Sequence, residues 1–140
     1  MMGLKRILRS DSGATVIETA FALPALVVLL WTVLQGGLVF RAMSGIQHAL
    51  GEGARAATIW PAPDPDVTAD LEAIKAKMEA AVYGIGPGNF TIVNPLPGTA
   101  DGSDYLDLEV TYTQKTNLLI VPGPTIEVSR SKRVWLAENE

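Results

Sequence analysis

Three different rhythms of hydrophobic and polar positions follow one another along this chain, and each predicts a different element. Residues 19–40 read TAFALPALVVLLWTVLQGGLVF, without a charge and with only Thr19, Thr32 and Gln35 as polar side chains. As a helix rising about 1.5 Å per residue, the part from Phe21 to Phe40 covers about 30 Å, the thickness of a bilayer's hydrocarbon. A transmembrane helix is therefore predicted. No proline follows until Pro61, and Met43, Ile46 and Leu50 recur at helical spacing, so one long helix over residues 14–58 is expected, apolar first and amphipathic afterwards. In its second half Gly45, Ala49, Gly53 and Ala57 fall every four residues, a stripe along which another helix or a sheet could approach the backbone closely.

Pro61, Pro63 and Pro65 end that helix, and residues 59–66 read as a linker. A second amphipathic helix is expected next. Val67, Leu71, Ile74, Met78 and Val82 make its apolar stripe, with Asp66 or Thr68 as its cap and Gly84 as its stop. A short strand is expected at residues 89–93, then a polar loop at 94–103. The clearest alternation follows, where Leu106, Leu108, Val110 and Tyr112 interleave with Asp107, Glu109, Thr111 and Thr113. In a last strand Ile126, Val128, Val134 and Leu136 share one parity. Antiparallel pairing of these two strands would bring Asp107 and Glu109 near Arg130, Lys132 or Arg133. The apolar, proline-bound segment 117–124 between them either tucks into the core, the reading preferred on the pattern, or forms a sticky surface for a partner subunit or the membrane. The fold class is α+β: a long N-terminal helix, a second helix and a small antiparallel sheet, with residues 67–140 as an extracytoplasmic domain.

Composition narrows the chemistry. Of 140 residues, 48% are hydrophobic, and 11 basic against 15 acidic residues leave a net charge of −4, which argues against a nucleic-acid partner. The absence of cysteine removes disulfides, thiolate metal sites and cysteine nucleophiles. No nucleotide-binding, zinc or nucleophile-elbow motif is present, so no enzymatic activity, cofactor or small-molecule substrate is expected. His48 lies four residues after Ser44, but no third group orients the pair, and it reads as an ordinary helix residue. The carboxylates at Asp64 and Asp66 and at Asp101 and Asp104 fall short of a calcium loop's ligand count and read as turn residues, so no metal is expected.

The charges before the span matter more. Lys5, Arg6 and Arg9 precede it, against Arg41 and Arg55 beyond it, which places the N-terminus in the cytoplasm and the acidic remainder across the membrane. An ordinary secretory signal is a poor match, because the apolar run is long and the small-x-small site at Ala54-Arg55-Ala56 begins 14 residues past Phe40. Instead the basic leader ends at Gly13, and the chain after it is apolar except for Glu18, the fifth residue counted from Ala14.

This arrangement resembles the class III signal of type IV prepilins, and the wording Gly13-Ala14-Thr15-Val16-Ile17-Glu18-Thr19-Ala20 resembles the TadE-like pseudopilins, minor pilins of the tight adherence (Flp) pilus system. The resemblance covers about the first 58 residues and implies cleavage by a prepilin peptidase between Gly13 and Ala14, leaving the helix on the mature protein. It also implies that Glu18 sets axial register by meeting the new α-amino group of Ala14 on a neighbouring subunit, a costly ionic pair used for specificity. The simpler alternative is that Glu18 only marks the headgroup boundary. Pro24 would kink or locally melt the helix, a feature also seen in pilins; Trp31, mid-span, is expected to pack against a neighbouring helix. On this reading the chain is a non-enzymatic pilus-assembly component in a bacterial inner membrane, with a periplasmic domain, reaching the extracellular pilus after assembly. Its partners would be the prepilin peptidase, other minor pilins, the major pilin and the inner-membrane platform. The competing reading is an uncleaved single-pass scaffold or sensor with a periplasmic ligand-binding domain.

Overall fold

A computed structural model describes residues 11–59 and 68–136. The basic leader residues Lys5, Arg6 and Arg9, the prolines at 61, 63 and 65, the Asp64 and Asp66 carboxylates and Val67 lie outside the described residues. The first element, α1 (Asp11–Thr58), is a single 48-residue helix that stays α-helical through Pro24, so of the kink or local melt expected there the melt is not seen. At about 1.5 Å per residue it is about 70 Å long, and the domain packs along its second half. Helix α2 (Thr68–Val82) follows, and Gly84, with φ +74°, lets the chain turn away from it as only glycine does cheaply.

Among the described residues four strands follow: β1 (Asn89–Ile92), β2 (Leu96–Ala100), β3 (Ser103–Asn117) and β4 (Pro122–Trp135). All pairings are antiparallel. The long β3 is central: β4 pairs along one edge from Tyr105 to Asn117, while β2 and β1 share the other, opposite residues 103–107 and 110–113. Strand β2 occupies what the sequence pattern marks as a polar loop. Its LPGTA composition hides it, since Pro97 and Gly98 are poor strand residues tolerated at an edge. The hairpin into β3 is closed by Asp101 and Gly102, both at positive φ (54° and 81°), the type I′ geometry that an Asp-Gly pair favours. The Asp104 carboxylate accepts a 2.7 Å hydrogen bond from the Thr99 hydroxyl. Asp101 and Asp104 thus serve the turn, as the pattern predicts.

The inner face of β3 presents Leu106, Leu108, Val110 and Tyr112, all buried, to the second half of α1, while α2 packs on α1 and β1. Ala42, Ile46, Ala49, Leu50 and Ala57 from α1, and Ile74, Met78 and Val82 from α2, complete the core. On the outer face Asp107 stands opposite Arg133 and receives two 2.8 Å hydrogen bonds from its guanidinium, which also lies 3.8 Å from the Tyr105 ring centroid. Glu109 accepts from the Ser129 hydroxyl instead. Arg130 and Lys132, opposite Val110 and Leu108, fall on the other face from both acids, because directly paired residues share a side of the sheet. Of the three basic residues considered as partners, register selects Arg133.

The Arg133 hydrogen bonds hold the Asp107 carboxyl below its ordinary value of 3.8, with the guanidinium charge adding to the effect and partial desolvation opposing it. A lowered folded-state pKa contributes stability above the unfolded value and loses it as pH falls through the folded one. Asp107→Asn is therefore expected to lower the melting temperature slightly at pH 7, with the deficit vanishing in strong acid and shrinking in high salt, because the pair is solvent-exposed. Thermal unfolding of both forms across pH 2–7 checks this.

Candidate functional site: the bare helix and its junction with the sheet

Among the described residues, no other element packs against α1 between Gly13 and Leu30. Val16, Ile17, Phe21, Leu23, Leu26, Leu29, Leu30 and Val33 point in all directions around the helix, and every one is exposed. So broad an apolar surface requires lipid or other apolar helices around it. Its hydroxyls are satisfied within the helix, Thr19 donating to the Thr15 carbonyl and Thr32 to the Val28 carbonyl, each at 2.8 Å, as an environment without water demands. Gly13, Ala14 and Glu18 lie at the start of this bare section, all exposed. Ala14 and Glu18 are four residues apart in continuous helix and so share a face.

From Trp31 onward the helix is partly covered. Trp31 is half-buried and its indole Nε1 donates a 2.6 Å hydrogen bond to the Asn117 carbonyl at the end of β3. The expectation that Trp31 packs on a neighbouring helix is thus replaced by a contact within the chain. One turn further, Gln35 Oε1 accepts from Gln114 Nε2 at 3.0 Å. The Tyr112 hydroxyl donates to Gln114 Oε1 at 2.8 Å and accepts from the Gly88 backbone N–H at 3.0 Å. This relay ties the last polar residue of the apolar stretch to the sheet and to the loop before β1. The alternation read as far as Tyr112 continues inward through Gln114 and Thr116, so the signal was present, but two polar side chains at core parity concealed it.

Tyr112 and Gln114 are almost wholly buried. Tyr112→Phe leaves the Gly88 N–H and a Gln114 oxygen without their partner, at a cost of about 1–3 kcal/mol. The detergent-solubilised chain is expected to melt lower by at least about 4 °C per kcal/mol, which a thermal scan by circular dichroism checks.

The small-residue stripe is buried at all four positions. A Cβ placed on Gly45 would lie 2.9 Å from Ile85 Cδ1, and one on Gly53 would lie 2.7 Å from Met78 Sδ and 3.0 Å from Leu108 Cδ1. Ala49 and Ala57 belong to the same core cluster. Within the chain, then, the stripe seats α2, β3 and the loop before β1 against the α1 backbone.

Segment 117–124 departs from the preferred expectation. Rather than tucking into the core, it forms the β3–β4 turn with Leu119, Ile120 and Val121 51%, 75% and 53% exposed, Leu119 at φ 72°. Strand register explains this: pairing Lys115 with Thr125 and Asn117 with Pro122 carries the turn past the end of the core. His48 is exposed beside Glu52, Arg55 and Lys77 in an open groove between α1 and α2, and the Ser44 hydroxyl donates to the Phe40 carbonyl instead of to the imidazole. Among the described residues no cluster of three His, Cys, Asp or Glu side chains could hold a metal.

A small α+β domain mounted on one long helix, whose free half is apolar on every side, defines a membrane-anchored protein. Residues 13–55 match the family model of the TadE-like protein, so this helical segment is TadE-like. The match opens at Gly13, spans Ala14 and Glu18, takes in Gly45, Ala49 and Gly53, and stops before Ala57 and the whole sheet. No curated protein and no solved structure matches the chain.

Proposed function

We propose that the chain is a minor pilin of a tight adherence type IV pilus, cut by a prepilin peptidase between Gly13 and Ala14, and that it acts by assembly rather than catalysis. The observation that carries this reading is the coincidence, at one end of a bare apolar helix, of the start of the TadE-like match at Gly13 with the carboxylate at Glu18. Before assembly the helix would anchor the protein in the inner membrane with its N-terminus cytoplasmic and its domain periplasmic. The free section from Ala14 to Leu30 spans about 25 Å, enough for most of a bilayer; because the sheet reaches the helix at Trp31, the span would shift from the 19–40 expected on the pattern to about 14–30, with Trp31 at the outer headgroups. During assembly the same apolar surface would pack against other minor pilins or the major pilin. There the Glu18 carboxylate would meet a neighbour's Ala14 ammonium, whose ordinary pKa near 8 keeps it mostly charged at neutral pH.

The intact mass and N-terminal sequence of the membrane-bound protein, expressed with and without a cognate prepilin peptidase, test the reading. A start at Ala14 that appears only with the peptidase supports it. A start at Met1 in the presence of an active peptidase overturns it in favour of an uncleaved scaffold.

A further inference from the structure

The geometry points to a second membrane contact: the β3–β4 turn, with Leu119, Ile120 and Val121 at its tip, dips into the outer leaflet beside the helix that anchors the protein. The inference rests on reading α1 as a membrane anchor. Strand β3 runs down the helix toward the anchor, because Leu108 lies at the level of Gly53, Gln114 at Gln35 and Asn117 at Trp31. The turn that follows therefore continues toward the fully bare section that ends at Leu30. The Trp31 indole, clamped to the Asn117 carbonyl, fixes the depth of the tip relative to the apolar helix.

Its chemistry suits lipid. From Thr116 to Ile126 no residue is charged, and Lys115 and Glu127 flank the segment. At about 3.3 Å per residue, Ile120 lies on the order of 10–15 Å beyond the exposed Lys115, which is placed to meet anionic headgroups. An apolar environment favours backbone donors that are absent or satisfied, and four positions of the turn meet this. Pro122 and Pro124 have no N–H, the Leu118 N–H donates to the Val121 carbonyl, and the Leu119 N–H donates to the Asn117 side chain. The Thr116 hydroxyl donates to the Pro124 carbonyl. Three exposed aliphatic side chains in a turn of this kind, continuous with an anchor at the same depth, match lipid better than water.

Because the chain has no cysteine, single-cysteine variants carry one label each. Ile120→Cys, Val121→Cys, Leu23→Cys and Ser131→Cys, spin-labelled in the full chain, would be placed one copy per nanodisc of phosphatidylethanolamine and phosphatidylglycerol. Leu23 lies near the middle of the bare section and is exposed. Collision with oxygen and with a water-soluble nickel chelate would then be compared. The expected result is that labels at 120 and 121 follow the one at 23, favouring oxygen, while 131 favours nickel. If 23 favours oxygen but 120 and 121 resemble 131, the tip stays in water and the inference fails while the anchor stands. Shielding of 120 and 121 from both reagents would also overturn it, in favour of burial against protein. If 23 itself favours nickel, the anchor reading fails and the tip contact with it.

Discussion

Gly13→Val should leave the leader attached, so that the protein accumulates as the 140-residue precursor and none begins at Ala14. Glycine has no side chain beside the bond proposed to be cut, whereas valine places a β-branched one there. The effect is close to all-or-none on processing and should be absent from the fold, because residue 13 is exposed and the core begins at Ala42. The leader carries Lys5, Arg6 and Arg9 against Asp11, a net +2, so cleavage takes the chain from −4 to −6. Mass spectrometry and the change in isoelectric point report it independently. Glu18→Ala provides the complement: it should be cut normally yet recovered poorly in sheared pili, since it removes only the carboxylate proposed to set register.

The second large effect is structural. Gly53→Leu should cost about 1–3 kcal/mol, a sizeable part of the 5–15 kcal/mol that holds a typical domain together. The added Cβ would already sit 2.7 Å from Met78 Sδ and 3.0 Å from Leu108 Cδ1, and further carbons extend into the same space. Met78 and Leu108 are fully buried, so making room for the new side chain displaces other core atoms as well. For a domain of this size the melting temperature should fall by about 4–12 °C. Gly51→Leu provides the control. It lies two residues away on the exposed side of the same helix, with no atom within 4 Å of its added Cβ, and should stabilise by up to about 1 kcal/mol through helix propensity. Opposite signs at 51 and 53, read from thermal unfolding of the full chain in detergent, separate close packing from propensity.

Much of the helical architecture was legible because it is periodic. Ile74, Met78 and Val82 repeat at helical spacing and pack into the core, and the alternation from Leu106 to Tyr112 belongs to the central strand. What escaped the pattern was local chemistry that resembles something else. Strand β2 carries Pro97 and Gly98 and reads as a loop, although the Asp101-Gly102 pair, read as turn residues, is a strong hairpin signal. Gln114 and Thr116 look solvent-facing by composition, yet parity sends them inward, where Gln35, Tyr112 and the Pro124 carbonyl supply partners.

By itself, the sequence determined the apolar helix, the basic residues that precede Gly13, the carboxylate at Glu18, the small-residue stripe and the inward parity of the strands. Each follows from the spacing and type of residues near one another in the chain, which local geometry converts directly into faces and ends. Only the tertiary structure decided that Arg133 rather than Arg130 or Lys132 pairs with Asp107, that Trp31 and Gln35 grip the end of β3, and that residues 118–121 emerge beside the anchor instead of entering the core. Those outcomes depend on strand register and on where a sheet docks along a 48-residue helix. A slip of one residue in pairing exchanges the two faces of a strand, and periodicity along one segment carries no information about its offset from another.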